Sequence, residues 1–220
     1  EADEAVEPAH TAHEAVRKIS CHISDKTAHL YTAVEQSLTE TIEKNAPTLA
    51  RRANFQKSCA IARLPPYLVV NFVRFAWRND TQKRAKILRS ISFPDVLDVY
   101  NMCTPEVQAA ISAVKAELEK ERDAAAGVAP VDGAPAAADS SSATLVPDEA
   151  PPVAEPAEPP TEFDCKTGRY ELFGIITHQG RTADGGHYVA WVKRDAKTWL
   201  VFDDETVAEV AADRIKELYG

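Results

Sequence analysis

A chain of 220 residues, 45% of them hydrophobic, is long enough to bury one core or two small ones. Its net charge of −9, with no basic cluster, excludes the footprint of a nucleic-acid binder. No apolar stretch is long enough to cross a bilayer as a helix, and neither nucleic acid nor a membrane is expected as a partner.

Residues 1–12 are acidic and alanine-rich and read as a lead with no core face. Residues 16–23 alternate enough for a strand. Leu30, Val34, Leu38 and Ile42 recur every four residues and predict a helix ending near Pro47. Pro65-Pro66 introduces the β-branched and aromatic run 68–75, expected to form one central, largely buried strand. A polar turn at 78–82 follows, and residues 86–93 are expected to return as a second strand. Thr104-Pro105-Glu106 is a helix start: a threonine cap, proline at the first helical position and an acid in the first turn. Val107, Ile111, Val114 and Leu118 then give that helix one apolar stripe, running to about Arg122.

Residues 123–162 break the pattern, with eight acids, eight of the fourteen prolines, Ser140-Ser141-Ser142 and no Lys or Arg. Few large apolar side chains remain to offset the entropy of ordering, so a disordered insert is expected. Without it, 26 acids face 25 bases, and the rest is nearly neutral. The domain plan is therefore 1–122, an insert at 123–163, and a continuation at 164–220. Strands are expected at 170–177, 187–193, 199–202 and 207–210, and a terminal helix at 211–218 with Ile215 and Leu218 apolar. Short strands on tight loops predict an antiparallel sheet, one that both sequence halves should share.

Cys21, Cys59, Cys103 and Cys165 have no metal-type pair spacing. His10, His13, Cys21 and His22 come nearest to a zinc set, but two of these histidines lie in the polar lead. No metal and no other cofactor is expected. The first three cysteines read as reduced, partly buried thiols, consistent with a cytoplasmic or nuclear protein.

Chemistry concentrates in Gly185-Gly186-His187-Tyr188-Val189-Ala190-Trp191-Val192 and, sixteen positions after the histidine, Asp203. The glycine pair frees the backbone before His187, one strand leads away, and a second returns two carboxylates. A histidine oriented by an acid is two-thirds of a nucleophilic triad. His187 is the expected base and acid, and Asp203 the expected orienting group. Adjacent side chains on a strand point to opposite faces, so only one of Asp203 and Asp204 should meet the imidazole easily; Asp204 is the alternative or auxiliary acid.

These boxes, together with 170–180 and Trp199 to Asp204, resemble the C-terminal histidine box of ubiquitin-specific proteases. Residues 63–75, Arg-Leu-Pro-Pro-Tyr-Leu-Val-Val-Asn-Phe-Val-Arg-Phe, resemble the same family's internal strand. Thr177-His178-Gln179-Gly180-Arg181, and Phe93-Pro94 through Cys103-Thr104-Pro105-Glu106, are most similar to the proteasome-associated member. The resemblance covers about 15–122 and 164–220. It implies an α+β, papain-like fold with a mainly antiparallel palm-and-fingers sheet and a few helices. It also implies thiol-dependent hydrolysis after the terminal glycine of ubiquitin. The implied partners are ubiquitin, ubiquitinated proteins and the 26S proteasome regulatory particle. A glycine-rich loop containing His178, Gly180, Asp184, Gly185 and Gly186, with Tyr188 behind it, would be a flap over the groove for ubiquitin's tail. Phe75, at the root of a second turn at 74–86, would line the same groove.

Two departures stand out. The family's nucleophile lies in a Gly-Asn-Thr-Cys box, and none of the four cysteines has that context, so the nucleophile is expected outside this chain. The two CxxC pairs with which many members of the family bind zinc are also missing. The reading is a fragment of a catalytic domain without the cysteine-box subdomain, inactive alone. A ubiquitin-binding module without catalysis is the alternative.

Overall fold

The computed structural model describes residues 10–24, 26–46, 50–78, 82–125, 165–180, 182 and 185–218. In chain order the elements are strand β1 (Ile19–His22), helix α1 (Leu30–Ser37) and strands β2 (Thr39–Ala46), β3 (Arg51–Ser58), β4 (Val70–Val73), β5 (Phe75–Arg78), β6 (Lys83–Lys86) and β7 (Val96–Asp98). Helix α2 (Pro105–Ala125) follows, then strands β8 (Arg169–Glu171), β9 (Gly174–Gln179), β10 (His187–Lys193), β11 (Thr198–Asp203) and β12 (Thr206–Ala211). This is an α+β fold whose strand pairs are antiparallel except β1 with β4, which run parallel.

Several expectations are corrected. The helix expected to reach Pro47 stops at Ser37, and Ile42 lies in β2. That strand pairs with β3 along its whole length, from Thr39 opposite Ser58 to Ala46 opposite Arg51. The Cys59 N–H donates to the Leu38 carbonyl at 2.7 Å, so the ladder takes over where the helix ends. An apolar residue every four positions cannot by itself separate one long helix from a short helix followed by a strand.

The run at 68–75 is divided at Arg74 between the half-buried β4 and the start of β5, whose Trp77 is exposed, and Val69 is exposed too. Here the chain changes partner, from β1 to β6. The Arg74 guanidinium donates to the carbonyls of Ile87 (3.3 Å) and Arg89 (2.7 Å), while its own carbonyl accepts from Ile87 N–H at 2.6 Å. The returning strand is accordingly Lys83–Lys86, earlier than the expected 86–93.

The third correction concerns the shared sheet. The four-stranded sheet, ordered β12-β11-β10-β9, comes wholly from residues after 173. The halves meet instead at the two-stranded β7–β8 pair, Val96 opposite Glu171. Val99 N–H to Gly168 carbonyl (2.9 Å) and Tyr170 Oη to Pro65 carbonyl (2.8 Å) extend the seam.

Helix α2 begins as expected. The Glu106 carboxyl is held below its usual range by its own backbone N–H and then by the Thr104 hydroxyl, the signature of a satisfied first turn. Ile111 from its stripe joins Cys21, Ala33, Val34, Leu64, Leu97, Val99, Met102 and Cys103 in the main core. The helix runs through Asp123–Ala125, the first residues assigned to the insert; 126–163 lie outside the described residues. The terminal helix expected at 211–218 is a 3₁₀ helix at Ala212–Glu217 that buries Ile215. Among the described residues, no helix is long and apolar enough to cross a membrane.

Candidate active site

The sheet β9–β12 places the site by side-chain parity. Trp191 pairs with Val201 and Lys193 with Trp199, so His187, Val189, Trp191, Trp199, Val201 and Asp203 share one face. Val189 (2% exposed) and Trp199 (4% exposed) are buried, anchoring this face while its rim reaches solvent. On the rim, His187 Nε2 lies 2.5 Å from Asp203 Oδ1. The carboxylate only accepts, so Nε2 carries the proton and Nδ1 holds the free lone pair.

Asp204 was expected to point away. It does not belong to the strand: it opens the two-residue turn between β11 and β12 with φ +49°. Its Oδ2 stands 3.9 Å from His187 Nδ1, so each carboxylate faces a different ring nitrogen. The hydrogen bond to Asp203 is the main reason the His187 pKa is raised; partial desolvation opposes it, and the charges of Asp203 and Asp204 add to it. The direction of this shift stabilises the protonated ring relative to a free imidazole, which suits a base that must hold a proton between two steps.

Among the described residues, His187, Asp203 and Asp204 are also the set whose ligand atoms lie close enough to share a cation, within 4.8 Å of one another. Of these atoms, Nε2 and Asp203 Oδ1 are engaged with each other. The imagined His10, His13, Cys21 and His22 set is split: Cys21 is sealed in the core and the three histidines are exposed.

The cysteines are free. Burial pushes the Cys103 thiol up to about 11, with the nearby Asp98 charge and Cys165 adding to it, and Sγ donates to the Val99 carbonyl. Burial also raises Cys21. Both are core thiols held protonated, the reverse of an activated nucleophile.

The expected groove residues gather on the other face of β9 and β10. His178 pairs with Tyr188 across the ladder, ring centroids 4.8 Å apart, and stands edge-on to Phe75 at 5.3 Å. Tyr188 is exposed at 62%. Gly185 carbonyl accepts from the Thr182 hydroxyl at 3.3 Å. Asp184 and Arg181 lie outside the described residues. Lys86 was missed: its Nζ donates to the His178 carbonyl at 2.5 Å, a contact across 92 positions that no local pattern announces. A concavity of about 520 Å³ lined by His29, Tyr31, Phe93, Pro94 and Val96 lies elsewhere, on the N-terminal half.

The antiparallel sheet presents a histidine hydrogen-bonded to an aspartate at its rim, an arrangement that a nucleophilic hydrolase could use to hold its base. The family model of ubiquitin carboxyl-terminal hydrolases matches residues 10–219, and the chain belongs to that family. It is 34% identical to "Ubiquitin carboxyl-terminal hydrolase 6" of Arabidopsis thaliana over 94% of this chain and 44% of the relative. It is 33% identical to "Ubiquitin carboxyl-terminal hydrolase 6" of Schizosaccharomyces pombe, over 99% of this chain and 49% of that one. "Ubiquitin carboxyl-terminal hydrolase 14" of Caenorhabditis elegans is 33% identical over 92% of this chain and 41% of its own. The chain thus spans about half the length of these relatives. Among solved structures, the Ubp8-containing SAGA DUB module bound to ubiquitin aldehyde shares the fold, with a TM-score of 0.52 and 20% identity over 90% of this chain and 33% of that one.

Proposed function

We propose that this chain supplies the histidine–aspartate side of a cysteine-dependent deubiquitinase that hydrolyses (iso)peptide bonds after ubiquitin's C-terminal glycine. The observation that carries the reading is the 2.5 Å hydrogen bond between His187 and Asp203 on the rim of the β10–β11 pair. His187 Nδ1 takes the proton of an attacking thiol and later gives it to the leaving amine, while Asp203 fixes the tautomer and offsets the imidazolium charge. The names of the relatives and the ubiquitin-bound structural neighbour support the substrate. The nucleophile is assigned to none of Cys21, Cys59, Cys103 or Cys165. Association with the 26S proteasome regulatory particle, in the cytoplasm or nucleus, rests on the motifs at 93–106 and 177–181 alone.

The test is reaction of the complete protein with ubiquitin bearing a thiol-reactive C-terminus, alongside release of a fluorophore from ubiquitin. Adduct formation and turnover are expected, with turnover lost in His187→Ala. Ubiquitin binding with neither adduct nor turnover would make the protein a non-catalytic ubiquitin-binding module.

A further inference from the structure

His178, in β9, is surrounded by features that a substrate contact does not require. Its Nδ1 is buried and has no hydrogen-bond partner among the described residues. Its ring is held between Phe75 and Tyr188, and its carbonyl is held by Lys86. The opposite ring edge lies against two glycines. A Cβ on Gly186 would fall inside van der Waals contact of His178 Nε2 and 2.5 Å from the Gln179 carbonyl. A Cβ on Gly180 would lie 3.4 Å from His178 Cε1 and 3.1 Å from Gly186 Cα. Both glycines thus leave out the atoms whose space the loop and the His178 ring fill. Gly186 is the residue directly before His187.

We propose that His178 is a positioning residue for His187: its imidazole braces the Gly180–Gly186 crossing and so sets the backbone from which the His187 ring approaches Asp203. The inference rests on the deubiquitinase reading for its kinetic consequence but not for its structural one. An unsatisfied buried nitrogen is costly to keep, so the ring is held there by shape and packing rather than by a hydrogen bond at Nδ1. Misplacing a catalytic group by about 1 Å costs on the order of 10²-fold in rate.

The experiment measures kcat and KM on a ubiquitin–fluorophore substrate, and the His187 imidazole ¹⁵N resonances, in the complete protein with His178→Ala and His178→Phe. For His178→Ala, kcat is expected to fall about 10²-fold with KM within about twofold of the parent value, and the His187 resonances to move. His178→Phe, which keeps a ring between Phe75 and Tyr188, should recover part of the loss. A rise in KM with kcat intact would make His178 a substrate contact and overturn the proposal. Lost turnover with unmoved His187 resonances would overturn it as well. If the parent protein does not cleave ubiquitin at all, the functional reading falls, while the resonances still decide whether His178 positions His187.

Discussion

The β2–β3 hairpin and the β10–β11 pair are both regular antiparallel ladders, yet they do opposite things with their side chains. Of the sixteen residues in β2 and β3, Ala46 is the one that is buried; the rest are exposed or half-buried, with Glu43 and Arg52 facing solvent. In β10–β11 one face seals Val189 and Trp199 and carries the dyad at its rim. Backbone pairing alone therefore makes an arm. Pairing plus one buried face makes a platform stiff enough to hold an imidazole 2.5 Å from its acid.

The sharpest way to break this comparison is chemical. His187→Ala in the complete protein should lower kcat on a ubiquitin–fluorophore substrate by about 10⁴-fold while ubiquitin affinity, measured by titration, stays near the parent value. Retained turnover would leave the platform without a catalytic role. Asp203→Asn should cost less, about 10²–10⁴-fold, because the imidazole remains but loses its orientation and charge partner.

The same variant has a titration signature. The folded-state pKa of His187 is raised, chiefly by the bond to Asp203. The stability it contributes is therefore fully present below the unfolded-state pKa and is lost as pH rises through the folded-state value. Asp203→Asn should move the His187 midpoint, read by NMR, downward toward ordinary imidazole. Asp204→Asn should move it the same way by less, since that carboxylate acts by charge at 3.9 Å and is the weakest contributor. A larger shift from Asp204→Asn would exchange the roles of the two acids.

How much of this was legible in the sequence follows the same division. Strands β9–β12 alternate over short runs and connect to their neighbours in order, so their face, their register and the choice of Asp203 are written locally. Two details escaped that logic. Residues 170–177 divide at Leu172-Phe173, where the chain changes partner: Leu172 N–H still bonds the Asp95 carbonyl beside β7, while the Phe173 carbonyl accepts from Lys193 N–H beside β10. Asp204 adopts a left-handed turn, which removes it from strand parity. The N-terminal half was harder to read. The parallel β1–β4 pair joins residues about fifty positions apart, and β2–β3 is polar on most of its surface, so no hydrophobic period marks it. The motif singles out His178, Gly180, Gly186 and Phe75 as groove residues, but the packing of His178 onto Gly186 is a contact across the loop that no local pattern announces.

On the stability side, the core of the N-terminal half should respond strongly. Ile111 is 1% exposed and packs with Val99, Met102 and Cys103. Ile111→Ala is expected to cost about 2–5 kcal/mol in denaturant unfolding, the usual range for removing a buried aliphatic side chain. A change below about 1 kcal/mol would mean that α2 does not anchor this core.

The smallest effect tests the arm itself. Glu43 and Arg52 approach at 3.9 Å with side chains 57% and 73% exposed, so solvent screens the pair and two long side chains lose freedom to form it. Glu43→Gln should therefore change unfolding free energy by less than about 0.5 kcal/mol. The informative readout is local. If β2–β3 is an arm held mainly by its own ladder, its amides should exchange with solvent through openings of lower free energy than those of Val189 and Trp191, before and after the substitution. Equal protection in the two ladders, or a global loss of stability from Glu43→Gln, would show that the hairpin is buried against another part of the complete protein. The contrast between arm and platform would then belong to this segment alone.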